Sequence, residues 1–239
     1  GAKTAYLILP DIRVGDVLEY SYTLQGNNPV MNNRYGEKIP LDWEIPVARN
    51  VLRLVLSPNR ALYFQAPKQS DKQLTISDVS GKREILWQEE NVPAVVQDED
   101  TPNWYSPFRY LAISEFVDWP DVVKWALPLY EQAAVVDQSV QQQADQFLAQ
   151  SSDKQQQIML ALGFVQQEIR YLGMEDGMGS HRPRLASETL YRRYGDCKDK
   201  TALLLALLKA MGFSPSAALV NLDQGQSLPD ELPSPYAFD

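Results

Sequence analysis

Apolar residues alternate with polar ones at Leu18, Tyr20, Tyr22 and Leu24, separated by Glu19, Ser21 and Thr23. That period of two is the pattern of a half-buried strand. Val14-Gly15-Asp16 supplies a turn before it, and Gly26-Asn27-Asn28-Pro29 ends it with residues that tolerate turn geometry. Further strands are predicted at Val51–Leu56, Ala61–Gln65, Leu74–Val79 and Arg83–Gln88, with Ser57-Pro58-Asn59 and Ser80-Gly81-Lys82 as hairpin-like connections. Repeated short strands punctuated by turns predict an antiparallel sandwich.

Beyond Trp119 the period changes to that of helices. Asp118 is placed to cap a helix over Pro120–Gln132, which Pro128 is expected to bend or end. A second helical stretch holds Gln141-Gln142-Gln143 on a solvated face, with Val140, Phe147 and Leu148 as its apolar positions. After Ser152 and Asp153, the residues Ile158, Leu162, Val165, Ile169 and Leu172 recur at helical spacing and predict one continuous core-facing stripe. Between the two regimes, Gln97–Pro107 is acidic and then Pro-rich with no apolar period. It marks the expected boundary between a β-sandwich domain over 1–107 and a second domain over 108–239.

Composition narrows the function classes. The chain has 239 residues, 44% hydrophobic and 22% charged, enough apolar material for a sizeable core. Its net charge of −9 argues against a phosphate backbone as partner, so no nucleic acid is expected. No stretch approaches the roughly 18 consecutive apolar residues of a membrane span. The sequence opens on Gly1 and enters an apolar segment, Tyr6–Leu9, almost at once, so it reads as an excised segment. A single cysteine excludes an internal disulfide, and with a single histidine no protein zinc site is expected.

That cysteine lies in the most informative stretch, Tyr194-Gly195-Asp196-Cys197-Lys198-Asp199-Lys200-Thr201. Leu203, Leu204, Leu207, Leu208 and Met211 then mark a buried helix, and Gly212 is placed to stop it in left-handed geometry. Asp196 is a natural N-cap, and Gly195 permits a tight approach with positive φ. Cys197 therefore falls in the first turn, where unpaired N–H groups and the helix dipole favour a thiolate and can hold a developing oxyanion. Lys198 and Lys200 act in the same direction and Asp196 and Asp199 against it, which leaves the net sign open.

The runs Ile169–Glu175, His181-Arg182-Pro183, Ala186–Leu190 and Arg193–Lys200 together resemble the core of bacterial transglutaminase-like proteins. The tail Leu232–Asp239 is similar to the segment leading to that family's catalytic His. Leu9-Pro10 with Val14–Tyr20 resembles, more loosely, the later half of the β domain of unknown function that often precedes this core. The resemblance implies an α+β chain: an incomplete antiparallel β-sandwich portion, then the helical front half of a papain-like core. It also implies a Cys-His-Asp triad with Cys197 as nucleophile. No His follows Cys197, so the base and its orienting Asp are expected beyond Asp239, and the segment by itself is expected to be inactive. Asp196, Tyr171 and His181 are the cleft or oxyanion candidates. Tyr171 is either a cleft wall or a packed aromatic, and His181, in the loop Gly177-Met178-Gly179-Ser180, is a cleft residue rather than the base.

The implied activity is thiol-dependent acyl transfer on a protein or peptide substrate, by hydrolysis or amine transfer, with no cofactor. A periplasmic or cell-envelope setting is what the resemblance suggests. The rival reading is a non-catalytic module that binds a peptide or envelope component and carries a vestigial cysteine.

Overall fold

The computed structural model describes residues 6–68, 73–102, 104–173 and 177–238. The fold is α+β, with helices and antiparallel sheets in two compact units. One unit spans Arg34–Gln132 with Ser214–Asp239, and the other Gly1–Asn33 with Ala133–Phe213.

The first unit is built on two three-stranded sheets. Strands β1 (Gly36–Pro40), β2 (Val47–Leu56), β3 (Tyr63–Gln65), β4 (Leu74–Val79), β5 (Lys82–Val92) and β6 (Tyr110–Ser114) form them. The orders are β1-β6-β3 and β2-β5-β4, every pair antiparallel. Ser80 and Gly81, with φ of 52° and 73°, make the tight β4–β5 turn, with Val79 opposite Lys82. The inward faces share one core in which Leu111 and Ile113 of β6 join Trp87 of β5 and the adjoining Leu41. Leu52, Leu54 and Leu74 pack on that cluster from the other sheet, so the two sheets form a sandwich.

One polar network ties the sheets. Arg109, just before β6, donates to Asp42 through its backbone N–H at 2.8 Å and its Nη2 at 2.6 Å, and reaches Glu89 of β5 at 3.1 Å. Burial alone would push the Asp42 carboxyl up, but the Arg109 bonds and charge outweigh it and hold it below the ordinary carboxylate range. Helix α1 (Trp119–Ala133) follows, with the Asp121 N–H donating to Asp118 Oδ1 at 2.8 Å. It runs through Pro128 rather than ending there. The tail seats on the same unit: Asn221 donates to the Ala237 carbonyl at 2.7 Å, and Phe238 meets Trp119 edge-on at 5.4 Å.

The second unit packs α2 (Gln138–Gln150), α3 (Lys154–Gln167) and α4 (Ala186–Arg192) around α5 (Cys197–Ala210). A short parallel pair, β7 (Arg170–Tyr171) with β8 (Tyr194–Gly195), leads into α5. Ala144, Ala161, Ala186, Ala202 and Ala206 are fully buried, and small side chains let these helices approach closely. Because three helices pack on it, α5 buries Ala202, Leu203, Leu205, Ala206 and Leu207 rather than one narrow stripe. Its C-terminus closes as a Schellman motif: Phe213 N–H donates to Leu208 O and Gly212 N–H to Lys209 O, both at 2.9 Å, with Gly212 at φ +84°.

Three expectations are corrected. The alternating segment Leu18–Leu24 forms no strand, and Leu18, Tyr20, Tyr22 and Leu24 are all at least half exposed. Alternation records a capacity to bury one face, but a strand also needs a neighbour for its backbone, and among the described residues none pairs with it. The stripe from Ile158 to Leu172 is not one helix, because α3 ends at Gln167 and the chain turns into β7. Its buried face is Gln157, Ala161 and Val165, shifted from the expected one, while Ile158 and Leu172 are exposed. Finally, Gly195 does not have a positive φ; its role is steric.

Candidate active site

Cys197 is the first residue of α5, and its side chain is exposed. A capping box shapes the turn beneath it. The Asp199 N–H donates to Asp196 Oδ1 at 3.2 Å, and the Asp196 N–H donates to Asp199 Oδ2 at 3.4 Å. The box uses the third N–H of the helix. It leaves those of Cys197 and Lys198 without a hydrogen-bond acceptor among the described residues. Two donors beside an exposed sulfur are the elements of an oxyanion site.

The charges around the thiol are spent on structure. Asp196 is 1% exposed, and its second oxygen pairs with the Lys198 ammonium at 2.5 Å. Asp199, also 1% exposed, accepts from the Arg184 N–H at 2.8 Å and from Arg184 Nη1 at 2.9 Å. It thereby clasps the segment before α4 to the start of α5. Lys200 donates to the Ile169 carbonyl at 2.8 Å, tying the entry of β7 to the same turn. The sequence had Lys198, Lys200, Asp196 and Asp199 acting directly on the sulfur's charge. The structure shows Lys198 neutralised against Asp196 and Asp199 against Arg184, so the four serve first to fix the turn.

Gly195 makes the clasp possible. A Cβ there would lie 2.6 Å from Asp199 Cβ and 3.2 Å from Thr189 Cγ2. The β7–β8 pairing brings Tyr171 opposite Gly195, and the Leu172 N–H donates to the Gly195 carbonyl at 3.0 Å. Tyr171 is 58% exposed on that strand rather than packed away.

His181 follows the 3-10 turn Gly177–Ser180. Its Nδ1 lies 2.7 Å from Ser180 Oγ, and Ser180 Oγ accepts from Asn28 Nδ2 at 3.0 Å. Burial, and secondarily the Lys198 ammonium, depress its pKa to about 4, so the ring is neutral near pH 7. Reasoning from the sequence identified His181 but missed Asn28 and Arg184. Asn28 lies 152 positions from its partner, and the cap-like Asn-Pro at 28–29 carries no mark of that contact. Arg184 is one arginine among several near Cys197, and nothing in the spacing singles it out.

Residues 1–96 match the model of a domain of unknown function with a solved structure, DUF3857. No curated protein matches the chain. Among solved structures, a putative protease from Parabacteroides distasonis ATCC 8503 is similar, with a TM-score of 0.61 at 16% sequence identity. The similarity covers 75% of this chain and 35% of that one, so the chain spans about a third of the length of the protein it resembles. It defines a shared fold.

Proposed function

We propose that Cys197 is the nucleophile of a thiol-dependent acyl transfer on peptide or carboxamide substrates. The observation that carries the reading is an exposed sulfur on the first residue of a buried helix, with two unclaimed N–H groups beside it. The turn that holds it is fixed by buried charge pairs. The transglutaminase-like resemblance of Arg193–Lys200 and the fold shared with a putative protease support it.

In this reading the thiolate attacks the carbonyl carbon, a C–S bond forms, and the oxygen takes the negative charge. The N–H groups of Cys197 and Lys198 receive it. The tetrahedral species collapses, the C–N bond breaks, and the leaving nitrogen takes the proton the base removed from sulfur. Water or an amine then attacks the thioester, releasing acid or a new amide and restoring the thiol. The base and its orienting carboxylate are the His and Asp that the resemblance places after residue 239.

Incubating the full-length protein with a peptide amide and acid-quenching it tests this by intact mass. A thioester adduct on Cys197, absent in Cys197→Ala, is the expected result. No adduct and no turnover in the full-length protein would instead leave a binding module with an unused cysteine.

A further inference from the structure

We propose that the outer face of the sheet β1-β6-β3 is a seat for the tail that follows residue 213, and that Lys38 and Tyr110 are positioning residues for the acyl transfer, acting through Glu231. The positioning role rests on the acyl-transfer reading above, which puts the base after residue 239. The seat itself does not.

The burial of β6 shows that this face is covered. Leu111 and Ile113 point into the sandwich core, so Ala112 and Ser114 point away from it. Yet Ala112 is only 2% exposed and Ser114 not at all. The cover is the tail of the same unit. Gln65 of β3 donates to the Asp230 carbonyl at 3.0 Å, and the Ser114 hydroxyl of β6 donates to the Pro233 carbonyl. On β1, Gly36 leaves room for what lies above it: a Cβ there would fall 3.2 Å from Ser234 Oγ and 3.7 Å from Tyr236 Cδ2. The tail therefore crosses the sheet from β3 over β6 to β1.

Those bonds end on main-chain carbonyls, which every residue offers, so they do not decide which residue sits where. Glu231 does. Its side chain is only 9% exposed, and its carboxylate pairs with Lys38 of β1 at 2.7 Å. It also accepts from the Tyr110 hydroxyl of β6 at 2.9 Å and from Gln224 Nε2 at 3.3 Å. The Lys38 ammonium lies 4.9 Å from the centroid of the Tyr110 ring, so the two partners also hold each other. Sliding the tail along the sheet would leave a covered carboxylate without its donors, which is costly, and one register is thereby selected. Burial, and then the bond to Glu231, push the Tyr110 hydroxyl up to about 12, so it stays a donor at neutral pH. Past the anchor, Pro233 and Pro235 each fix φ and stiffen the tail. Asn221 and Trp119 then hold Ala237 and Phe238. A stiff segment pinned at Glu231 sets the direction in which the chain leaves Phe238.

Hydrogen exchange read by mass spectrometry on the full-length protein tests the seat. Glu231→Gln keeps the size of the side chain and removes its charge. It should speed exchange of the amides of 226–238 by about tenfold and leave those of β2 and β5 as they were. Tyr110→Phe, which removes one donor and little volume, should do the same to a smaller degree. Unchanged exchange in both variants overturns the seat. With a peptide amide, Glu231→Gln and Lys38→Met should each lower kcat by about tenfold and leave KM within about twofold, because a displaced base slows the chemical step and not binding. Lys38→Arg should recover most of that loss, and the double variant should be no worse than either single one, since both act through one contact. Alkylation of Cys197 by iodoacetamide should keep its rate in all of them. Variants that melt earlier but keep their kcat, or that lose only in KM, would leave Lys38 and Tyr110 a structural role and overturn the positioning one. Faster exchange in a full-length protein that forms no thioester would keep the seat and discard the acyl-transfer reading, and the positioning role with it.

Discussion

Gly195 and Asp199 sit so close that a methyl group on residue 195 would fall 2.6 Å from the Asp199 Cβ. The approach lets one carboxylate do three things: accept the Asp196 N–H, accept the Arg184 N–H and pair with the Arg184 guanidinium. The start of α5, and with it the direction of Cys197, is set by a side chain that fits only because its neighbour has none.

Replacing Gly195 by Ala should therefore destabilise the protein by about 1–3 kcal/mol, the usual cost of forcing a methyl group into a packed site. The contact is with Asp199 Cβ, next to the α5 backbone, and not with the far end of a flexible chain, so relaxation is limited. Urea denaturation measures it. A Gly195→Ala variant as stable as the parent would show that the turn can open without loss.

Truncation of Asp199 should cost more than truncation of its partner. Asp199→Ala removes the capping acceptor together with the carboxylate that Arg184 pairs with, a loss on the order of 3 kcal/mol for a buried pair. Arg184→Ala leaves the carboxylate two backbone donors, from Arg184 and Asp196, so its cost should be roughly half as large. Denaturation midpoints of the two single variants and the double variant give the order. Equal costs would mean that the ion pair, and not the backbone clasp, holds the turn.

Much of this arrangement was legible in the residues. Asp196 as a cap, Cys197 in the first turn and Gly212 as a left-handed stop are local features, and local hydrogen-bonding chemistry fixes them. The strands at Leu74–Val79 and around Arg83–Gln88 were legible because a tight turn joins two alternating runs. Strands Gly36–Pro40 and Tyr110–Ser114 were not, since both are short and pair with each other across a long stretch of intervening sequence. The strand expected at Leu18–Leu24 failed in the opposite way: the pattern was right for burial, and pairing decided the outcome. The α3 stripe failed because the helix ends at Gln167: Ile169 is buried beyond that end, while Tyr171 and Leu172, which follow it, are exposed.

His181 should leave a signature in the pH dependence of stability. Its folded pKa, about 4, lies below the ordinary 6.5, because burial disfavours the charged ring and the Lys198 ammonium adds to that. Between those values the unfolded chain binds the extra proton, so stability rises with pH there. The contribution is fully present above about pH 6.5 and is lost as the pH falls toward 4. The ring is partly solvated, so the loss should be on the order of 1–2 kcal/mol and not the full value of the shift. Unfolding free energies at several pH values, compared with His181→Asn, should show the parent falling more steeply. Parallel curves would mean that the ring protonates alike in both states.

The thiol offers the last test, because Cys197 is exposed and is the only cysteine. Iodoacetamide should modify the folded protein once, and Cys197→Ser not at all, as intact mass will show. Modification of a buried thiol waits for the structure to open, so it slows when the native state is stabilised. Modification of an exposed one does not wait. Adding sucrose, which strengthens the folded state by exclusion from the protein surface, separates the two cases. The rate on folded protein should change by less than about twofold across a sucrose series that raises the unfolding midpoint. The mechanism is direct: the sulfur projects from the first turn of a helix whose buried charges lie beneath it, so no hydrogen bond has to break before the reagent reaches it. Labelling that slows in step with added stability would mean that Cys197 is covered in solution, and an exposed nucleophile would have to be given up.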